Sequence, residues 1–381
     1  MSVDWEAVRS EFPALANWTF LNTATFGQLP RRATQAVAAH FAHRDELACH
    51  DFLSWYDDAW RLREKIGRLI HCTAGDIAFV PNASTALGLL LSGMDWRAGD
   101  RVVTLEHEFP NNLYAPGLLE RSGVEVVAPD WEHFYATIDS RDSRTRLVTL
   151  SSVNYNTGFA PPLEEIAAFL RARGVLLYID GTQSAGALRF DAARIRPAML
   201  AVHGYKWLLS PNGAGFFYID PELRARLHPN VVGWRSHRDW RNVDNLHHGA
   251  PELPESAEKY EGGSVSFALL YAMEASIDLL LEIGPETIEQ RVMELAGITR
   301  RALRELGASV EDYASPIVAA RFENSDVSAL ARKLASERVL VAARRGRLRV
   351  SPHFYNNERD IEILARTLRA SLTESAQAAR T

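Results

Sequence analysis

Short runs of apolar residues recur along the chain, and several of them end on a polar residue or on glycine. Such runs, bounded by turn residues, predict strands that are buried on both faces, as in a parallel sheet. Longer segments between them, such as residues 31–70 and 86–94, predict helices. The predicted strands are residues 77–81, 101–105, 146–150, 175–179, 198–202 and 216–219. The pattern therefore predicts the α/β class, with a large sheet that is mainly parallel.

The last third of the chain has a different order of elements. A helix at residues 289–306 is followed by a strand at 317–322 and a helix from 327. Two strands at residues 339–343 and 348–351 come next, and a last helix starts near 358. This order predicts a smaller α+β domain. The length of 381 residues agrees with about two domains.

Two of the predicted strands deliver chemically useful side chains to one rim of the sheet. Asp180 ends the strand at residues 175–179, and Lys206 follows the next strand in a His-Gly-Tyr-Lys loop. Open α/β sheets bind ligands at the carboxyl ends of their strands. Pyridoxal phosphate needs a lysine amine and an acid beside its pyridine nitrogen. Either residue alone is more simply explained as a surface lysine or a turn-capping aspartate.

The stretches YIDGTQSAG, HGYKW and SPNGAGFFYI carry a family resemblance. They are similar to the class V aminotransferase family of fold-type I pyridoxal-phosphate enzymes, which includes cysteine desulfurases, kynureninase and isopenicillin-N epimerase-like proteins. The resemblance runs from about Phe20 to about Leu368. It implies pyridoxal 5′-phosphate as cofactor and a large, mainly parallel seven-stranded sheet domain with a smaller α+β domain. The large domain would span residues 17–254, and the small one residues 1–16 and 255–381.

The resemblance also implies contacts for the cofactor ring. Lys206 would carry the cofactor, and Asp180 would hold the proton of the pyridine nitrogen. Phe109 would stack on the ring, with His107 stacking, or Phe109 as plain core, as alternatives. Asn154 and Gln183 would hydrogen-bond its 3′-oxygen.

Phosphate contacts are predicted from two sources. Ser84 and Thr85 precede an apolar helical run, and a helix start can serve as a phosphate site as well as a simple cap. The resemblance implies that His203 and Tyr205 add polar contacts. It further implies that Ser264 reaches the phosphate across the interface of a homodimer, although Ser264 could equally cap the next helix.

Substrate contacts are implied at two places. Residues 20–27 predict a strand and a turn, and Asn22 and Thr23 resemble a segment that passes over the active site; Asn22 could instead cap the turn. Arg349 resembles the arginine that grips a substrate carboxylate. Counting alternate residues along the strand places Arg345, Arg347 and Arg349 on one face and Arg344 on the other. Arg349 could therefore be one more charge of a basic face.

Composition narrows the choice of partners. The net charge of −6 indicates neither nucleic-acid nor membrane binding, and the acidic N-terminus lacks an apolar signal core. Two cysteines, Cys49 and Cys72, are too few for a disulfide framework, so a cytoplasmic protein is expected. Metal binding is not expected, because His203 has no second ligand at metal spacing.

The resemblance and these residues together imply an enzyme that acts on an amino acid or a small amine through Lys206, which would remove the α-proton. Aminotransferase is the first expectation, and a C–S β-lyase or an epimerase is the alternative. Residues 341–346 contain no cysteine, which disfavours persulfide-forming desulfurase chemistry. No G-x-G-x-x-G follows the first strand, which disfavours a nicotinamide-dependent oxidoreductase. A non-catalytic binding protein on this fold would have no reason to keep Asp180, Gln183 and Lys206 together.

Overall fold

The computed structural model describes residues 3–139, 144–246, 249–323 and 325–378. Seven strands of this part form the main sheet, in the order β2-β8-β7-β6-β5-β3-β4. All neighbours in it are parallel except β8, which runs antiparallel to β2 and β7. The strands are β1 (Thr19–Phe20), β2 (Ile77–Val80), β3 (Arg101–Val103), β4 (Glu125–Val127), β5 (Thr145–Ser151), β6 (Leu176–Asp180), β7 (Met199–His203), β8 (Gly215–Ile219), β9 (Ser309–Val310), β10 (Val318–Arg321), β11 (Val339–Leu340), β12 (Ala342–Arg344) and β13 (Arg347–Val350). The predicted seven-stranded, mainly parallel sheet is confirmed.

Helices connect these strands and cover both sheets. They are α1 (Trp5–Ser10), α2 (Arg31–Leu47), α3 (Ser54–Ile70), α4 (Ala83–Gly93), α5 (Pro110–Gly117), α6 (Phe134–Asp139), α7 (Leu163–Arg171), α8 (Ala192–Ile195), α9 (Pro221–Arg226), α10 (Phe267–Ile283), α11 (Pro285–Glu305), α12 (Val327–Ser336) and α13 (Glu358–Ala378). Across the described ranges, no helix combines the length and the apolar character that crossing a membrane requires.

The main sheet is buried on both faces, as its apolar runs predict. Leu177 and Ile179 of β6 pack with α3, α7 and α10 on one face, while Tyr178 packs with α4 on the other. Neighbouring residues of a strand project to opposite faces, so a strand between two helical layers needs apolar residues at every position. Only the strand end is free to carry a polar residue, and β6 places Asp180 there.

The second sheet is antiparallel, in the order β12-β13-β10-β9, and packs against α11, α12 and α13. The strand predicted at residues 339–343 is in fact two strands, because β11 pairs with β1 and β12 pairs with β13. The predicted strand at residues 20–27 is reduced to β1 and a bridge between Asn22 and Ser351. The N-terminal segment is thus joined to the C-terminal part of the chain.

The predicted domain boundary at residue 254 stays a prediction. Helix α10 packs against α2 and α3, and its buried residues belong to the core of the main sheet. Helix α11 spans both cores, because its Ile288 and Val292 pack with the main sheet, whereas Ala296 and Leu303 pack with the second sheet. This packing favours a boundary after α10.

A buried cluster of charges fixes the segment before α10 to the main sheet. The Glu261 carboxylate accepts hydrogen bonds from Arg63 at 2.5 Å, from Arg235 at 3.0 Å and from the backbone N–H of Phe79 in β2 at 2.8 Å. The side chains of Glu261, Arg63 and Arg235 are each only 1% exposed. Arg235 also donates to the backbone carbonyl of Gly263 at 3.0 Å, which holds the next turn in place.

We expect Glu261→Gln to lower the free energy of unfolding by about 3–5 kcal/mol, because two buried guanidinium groups would lose their shared carboxylate. Urea denaturation followed by circular dichroism measures the loss. Asp139→Asn is the matched control, since Asp139 pairs with Arg173 at the surface, where their side chains are 50% and 36% exposed. A surface pair contributes about 0–1 kcal/mol. Equal losses in the two variants would contradict the role assigned to the buried cluster.

Candidate active site

A pocket opens where the carboxyl ends of β5 and β6 lie beside the segment that connects β7 to β8. Parallel strands end at the same edge, so Ser151 pairs with Asp180 and Asp180 pairs with Ala201. The pocket is lined by Asn82, Ala83, Ser84, Phe109, Asn111, Ser151, Tyr155, Asp180, Thr182, Gln183, His203, Tyr205 and Lys206. The structure therefore brings together seven of the residues predicted from the sequence, which are Ser84, Phe109, Asp180, Gln183, His203, Tyr205 and Lys206.

Asp180 is a buried carboxylate at the end of β6. One of its oxygens accepts a hydrogen bond from the backbone N–H of Thr182 at 2.9 Å. Burial raises the pKa of Asp180, while the bonds from Thr182 and the charge of Lys206 lower it. A carboxylate held in this way can share a proton with a basic nitrogen of a ligand, because the pocket offers it little water.

Lys206 is buried at the same rim, with 6% of its surface exposed. Burial lowers its pKa to about 8; Arg349 and Arg344 act in the same direction, and Asp180 opposes them. Within the described residues, no carboxylate lies within ion-pair distance of its amine. An amine with this pKa is partly uncharged near neutral pH, and the uncharged form is the nucleophile.

The backbone around Lys206 is held by the N-terminal segment. The N–H of Gly27 donates to the carbonyl of Tyr205 at 2.9 Å. A Cβ at position 27 would lie 1.9 Å from the carbonyl oxygen of Lys206, so this close approach requires glycine.

The start of α4 lies in the pocket and differs from the prediction. Asn82 is the N-cap, and its side-chain oxygen accepts from the N–H of Thr85 at 2.9 Å and from its hydroxyl at 3.2 Å. The helix therefore starts at Ala83, three residues earlier than expected, and Ser84 and Thr85 lie in its first turn. Ser84 lines the pocket, whereas the Thr85 hydroxyl is bound to Asn82. First-turn N–H groups lack helical partners and favour anions.

His203 and Tyr205 give the pocket uncharged polar groups. Burial lowers the pKa of His203 to about 4, with a further contribution from Lys206, so its ring is neutral at pH 7. Its Nε2 accepts from the N–H of Gly213 at 3.4 Å, which leaves Nδ1 as the donor. Burial raises the pKa of Tyr205, whose hydroxyl therefore stays protonated. Both side chains can donate to a phosphate.

Phe109 is the aromatic ring next to Lys206. The centre of its ring lies 5.6 Å from the lysine Nζ, and it packs edge-on against Tyr155 at 5.3 Å. The side chain of His107 is 65% exposed and contacts Arg345 instead, with 3.1 Å between the nitrogens. The geometry thus favours Phe109 over His107 as the stacking ring, and the stacking role itself stays a prediction.

Glu108 fixes the position of Phe109, and no sequence pattern indicated it. Its carboxylate is buried and accepts from the Ser151 N–H at 2.8 Å, the Ser151 hydroxyl at 2.5 Å and the Asn112 amide at 3.1 Å. The backbone N–H of Phe109 donates to it at 3.1 Å. These bonds tie the loop before α5 to the end of β5.

Gln183 and Asn154 have different surroundings. Gln183 lines the pocket; its amide donates to the Ala24 carbonyl at 3.1 Å and accepts from the Trp207 indole at 3.0 Å, which leaves one N–H for a ligand. The structure does not bring Asn154 into the pocket. The Asn154 oxygen accepts from the N–H groups of Asn156 and Thr157, both at 3.0 Å, and thus organises the turn after β5. Its neighbour Tyr155 lines the pocket instead.

Arg349 is a buried cation close to Lys206. It is 2% exposed and donates to the Tyr155 carbonyl at 2.6 Å and to the Thr25 hydroxyl at 2.5 Å. Burial and, to a smaller extent, the charge of Arg344 together lower its pKa to about 9. Its Nε has no hydrogen-bond partner, and no carboxylate in the described part of the chain forms an ion pair with it. A buried guanidinium without an acid is suited to binding an external carboxylate.

The faces assigned to the basic run need correction. Arg344 in β12 pairs with Arg347 in β13, and directly paired residues of antiparallel strands project to the same face. Arg345 lies in the turn between the strands, with a φ of 43°. The predicted alternation was wrong because it counted along one continuous strand, whereas a hairpin turn intervenes. Arg344 therefore shares a face with Arg349, and Arg345 leaves it.

The N-terminal segment contributes Thr25 rather than Thr23. The Thr23 hydroxyl is buried in the core at 2.8 Å from the hydroxyl of Tyr355. The side-chain oxygen of Asn22 accepts from the Thr25 hydroxyl at 2.8 Å. Asn22 thus holds Thr25 against Arg349, and Thr23 cannot reach a substrate in this structure.

Ser264 lies outside its own chain's pocket. Its side chain is exposed, and its hydroxyl accepts from Tyr56 at 3.4 Å. The preceding turn is fixed by the bond from Arg235 to Gly263.

The pocket fits pyridoxal phosphate. A buried carboxylate, a partly neutral lysine amine, a helix start with first-turn N–H groups and an aromatic ring surround one cavity. Asp180 would hold the pyridine nitrogen, and Lys206 would form the covalent link. Ser84, His203 and Tyr205 would hold the phosphate, and Phe109 would cover the ring.

Known proteins resemble this chain along most of its length. Isopenicillin N epimerase from Streptomyces clavuligerus is 29% identical, over 96% of this chain and 98% of that protein. A probable cysteine desulfurase from Methanothermobacter thermautotrophicus is 25% identical, over 95% and 97% respectively.

Solved structures show the same fold. A lysine-to-alanine mutant of C-DES, with glycine covalently linked to the PLP cofactor, superposes with a TM-score of 0.86 and 25% identity, over 95% of this chain and 98% of that one. The cysteine desulfurase of Thermococcus onnurineus NA1 superposes with a TM-score of 0.84 over 98% and 99%; at 20% identity it supports the fold alone.

The predicted fold type I and the predicted cofactor are thereby confirmed. The sequence model of the family Aminotransferase class-V matches residues 20–379. This chain therefore belongs to the class V aminotransferase family of pyridoxal-phosphate enzymes.

Proposed function

We propose that this enzyme is an aminotransferase for a small amino acid, whose α-carboxylate binds Arg349 and whose α-proton is removed by Lys206. One observation carries the proposal: a buried arginine without an acid lies beside a buried lysine of lowered pKa. The first can orient a carboxylate, and the second can accept a proton.

The cofactor and the residues around it would have different roles in the reaction. Bound pyridoxal phosphate supplies an aldehyde that condenses with amines and a ring that withdraws electrons from the α-carbon of the substrate. Asp180 would keep a proton on the ring nitrogen. Arg349 would orient the substrate by its carboxylate, and Phe109 would exclude water from one face. The Lys206 Nζ would take the α-proton as general base.

The pKa values of the side chains in the pocket favour reactions that need only one base. His203, with a pKa of about 4, is a poor base, and the raised pKa of Tyr205 disfavours its loss of a proton. Lys206 is left to move protons. Transamination needs one base, which takes the α-proton and returns it to a second carbon. Epimerisation needs protons on both faces of the α-carbon.

A C–S β-lyase is the second candidate, and the likeness to C-DES favours it. One solved structure of that protein is described as a complex of the cystine C–S lyase with its product cysteine persulfide, and it superposes with a TM-score of 0.83 at 25% identity. β-Elimination also needs a single base at the α-carbon, so Lys206 suits either reaction.

We expect the purified protein, mixed with pyridoxal phosphate, to gain a visible absorbance band. Borohydride reduction and peptide mapping should place the pyridoxyl group on Lys206. Products from an amino-acid panel then identify the reaction. Transamination gives a 2-oxo acid only with an amino acceptor, elimination releases ammonia without one, and epimerisation gives the D enantiomer.

Lys206→Ala should lose the band and the products. Lys259→Ala is the matched control. Lys259 is also buried, but it donates to the Arg224 carbonyl and does not line the pocket. A pyridoxyl group on another lysine, or turnover by Lys206→Ala equal to that of the unmodified enzyme, would refute the proposal.

Arg349→Lys should raise the Michaelis constant for carboxylate substrates by about 10- to 100-fold, because lysine cannot reproduce the bidentate contact. The cofactor absorbance should stay unchanged. Arg347→Lys is the control on the same strand, and it should have little effect. Equal losses in both variants would show that the field of a basic surface, rather than a specific contact, attracts the substrate.

We also propose a homodimer in which Ser264 completes the phosphate site of the partner subunit. Its support is that Ser264 is exposed, outside its own pocket, and follows a turn fixed by buried charges.

The variants Lys206→Ala and Ser264→Ala should each have reduced activity when measured alone. When the two variants are mixed and re-equilibrated, hybrid dimers hold one intact site, so activity should rise above that of both parents. No rescue would contradict the role of Ser264 in the partner's site, and a monomer in sedimentation would contradict the dimer.

A further inference from the structure

Two arginines converge on one hydroxyl at the substrate side of the pocket. The Thr25 Oγ1 accepts from Arg349 Nη2 at 2.5 Å and from Arg344 Nη2 at 3.5 Å. Because both nitrogens contact the same oxygen, they lie at most about 6 Å apart. Asn22 fixes that oxygen by accepting the proton of the hydroxyl at 2.8 Å. These hydrogen bonds therefore fix the positions of the two arginine side chains relative to each other.

The hairpin explains why the two side chains meet. Arg344 ends β12 and Arg349 lies in β13, where it pairs with Ala342. The pairs Arg344–Arg347 and Ala342–Arg349 put all four residues on one face of the sheet. The turn residues Arg345 and Gly346, with φ of 43° and 73°, bring the strands together.

Neither arginine has an acid to balance it. Arg344 donates to the carbonyl of Ala343 at 2.8 Å and to Thr25, and among the described residues no carboxylate forms an ion pair with either guanidinium. The fields acting on Lys206 come from one carboxylate, Asp180, and from these two arginines. Three cations and one anion thus meet in a space with little water. Such an excess of buried positive charge destabilises the folded protein unless bound ligands supply negative charge.

A substrate with a single carboxylate would balance this excess of positive charge only in part. The proposed function places the α-carboxylate of the substrate on Arg349. The cofactor phosphate is assigned to the first turn of α4, with His203 and Tyr205, and does not need Arg344. Arg344 then remains as a half-buried cation that shares the Thr25 hydroxyl with Arg349.

We propose that the substrate is an acidic amino acid, in which Arg349 binds the α-carboxylate and Arg344 binds a second acidic group on the side chain. The spacing of the two guanidinium groups suits a short chain between the acids. This inference rests on the proposed function, because it takes the role of Arg349 from there.

The test compares succinate with butyrate, two four-carbon acids without an amine that differ in the number of carboxylates. Isothermal titration calorimetry on the holoenzyme should show succinate binding about 10- to 100-fold more tightly, as expected for one more charge-assisted contact. Arg344→Gln should remove this difference and change the affinity for butyrate less than about threefold. Arg344→Lys should keep part of it, since the charge remains.

Arg345→Gln is the control, because Arg345 lies in the same hairpin but contacts His107. It should leave both affinities unchanged. Equal affinity of the unmodified enzyme for the two acids would overturn the inference. A loss of both ligands in Arg344→Gln would also overturn it, since the two arginines would then share one carboxylate.

Exchange of the substrate α-proton with deuterated water separates this inference from the function on which it rests. If exchange occurs with alanine as fast as with aspartate, the proposed function stands and the acidic specificity fails. If no amino acid exchanges its α-proton, the proposed function fails, whatever the calorimetry shows.

Discussion

The buried amine of Lys206 is the interaction on which the site depends. A lysine held away from water, with one carboxylate and two guanidinium groups acting on it, has a pKa of about 8 and is partly uncharged near neutral pH. These charged groups come from two different sheets: Asp180 from the end of β6, and Arg344 and Arg349 from the hairpin of β12 and β13. The two sheets must therefore meet at one place for the lysine to have its reactivity.

The N-terminal segment makes that meeting possible. β1 pairs with β11 in a separate two-stranded sheet, and Asn22 forms a bridge with Ser351, which directly follows β13 of the smaller sheet. A few residues later, Gly27 lies against the backbone of Lys206 in the main sheet domain. Thr25 sits between these two attachments and holds both arginines. A segment of nine residues thus links the backbone of the lysine to the two arginines that are proposed to bind the substrate.

Local patterns in the sequence predicted the parts of the site that depend on local structure. The apolar run before Asp180 identified a strand and therefore its end, and the same reasoning located Lys206. Asn82 was missed as the cap of α4, although an Asn three residues before Thr85 is a recognisable signal. Contacts that join distant segments left no such signal. Thr25 and Tyr155 meet Arg349 only through tertiary packing, and the buried Glu108 resembles any acidic loop residue. The Arg345-Gly346 turn could have indicated the hairpin, and with it the face on which Arg344 lies.

In the proposed mechanism, the two arginines that would bind the substrate would also change the pKa of the base, Lys206. Arg349 and Arg344 lower the pKa of Lys206 while the substrate site holds no anion, which favours the neutral, nucleophilic amine. A carboxylate bound to either arginine offsets part of that positive field and so raises the pKa of a free amine at Lys206. Under the proposed function, the lysine would thus become a stronger base once the substrate has bound, when it is to accept the α-proton. Because linkage is reciprocal, protonation of Lys206 in turn raises the affinity of the two arginines for an anion. On this proposal, one arrangement of charges would serve cofactor attachment in the free enzyme and proton removal in the complex.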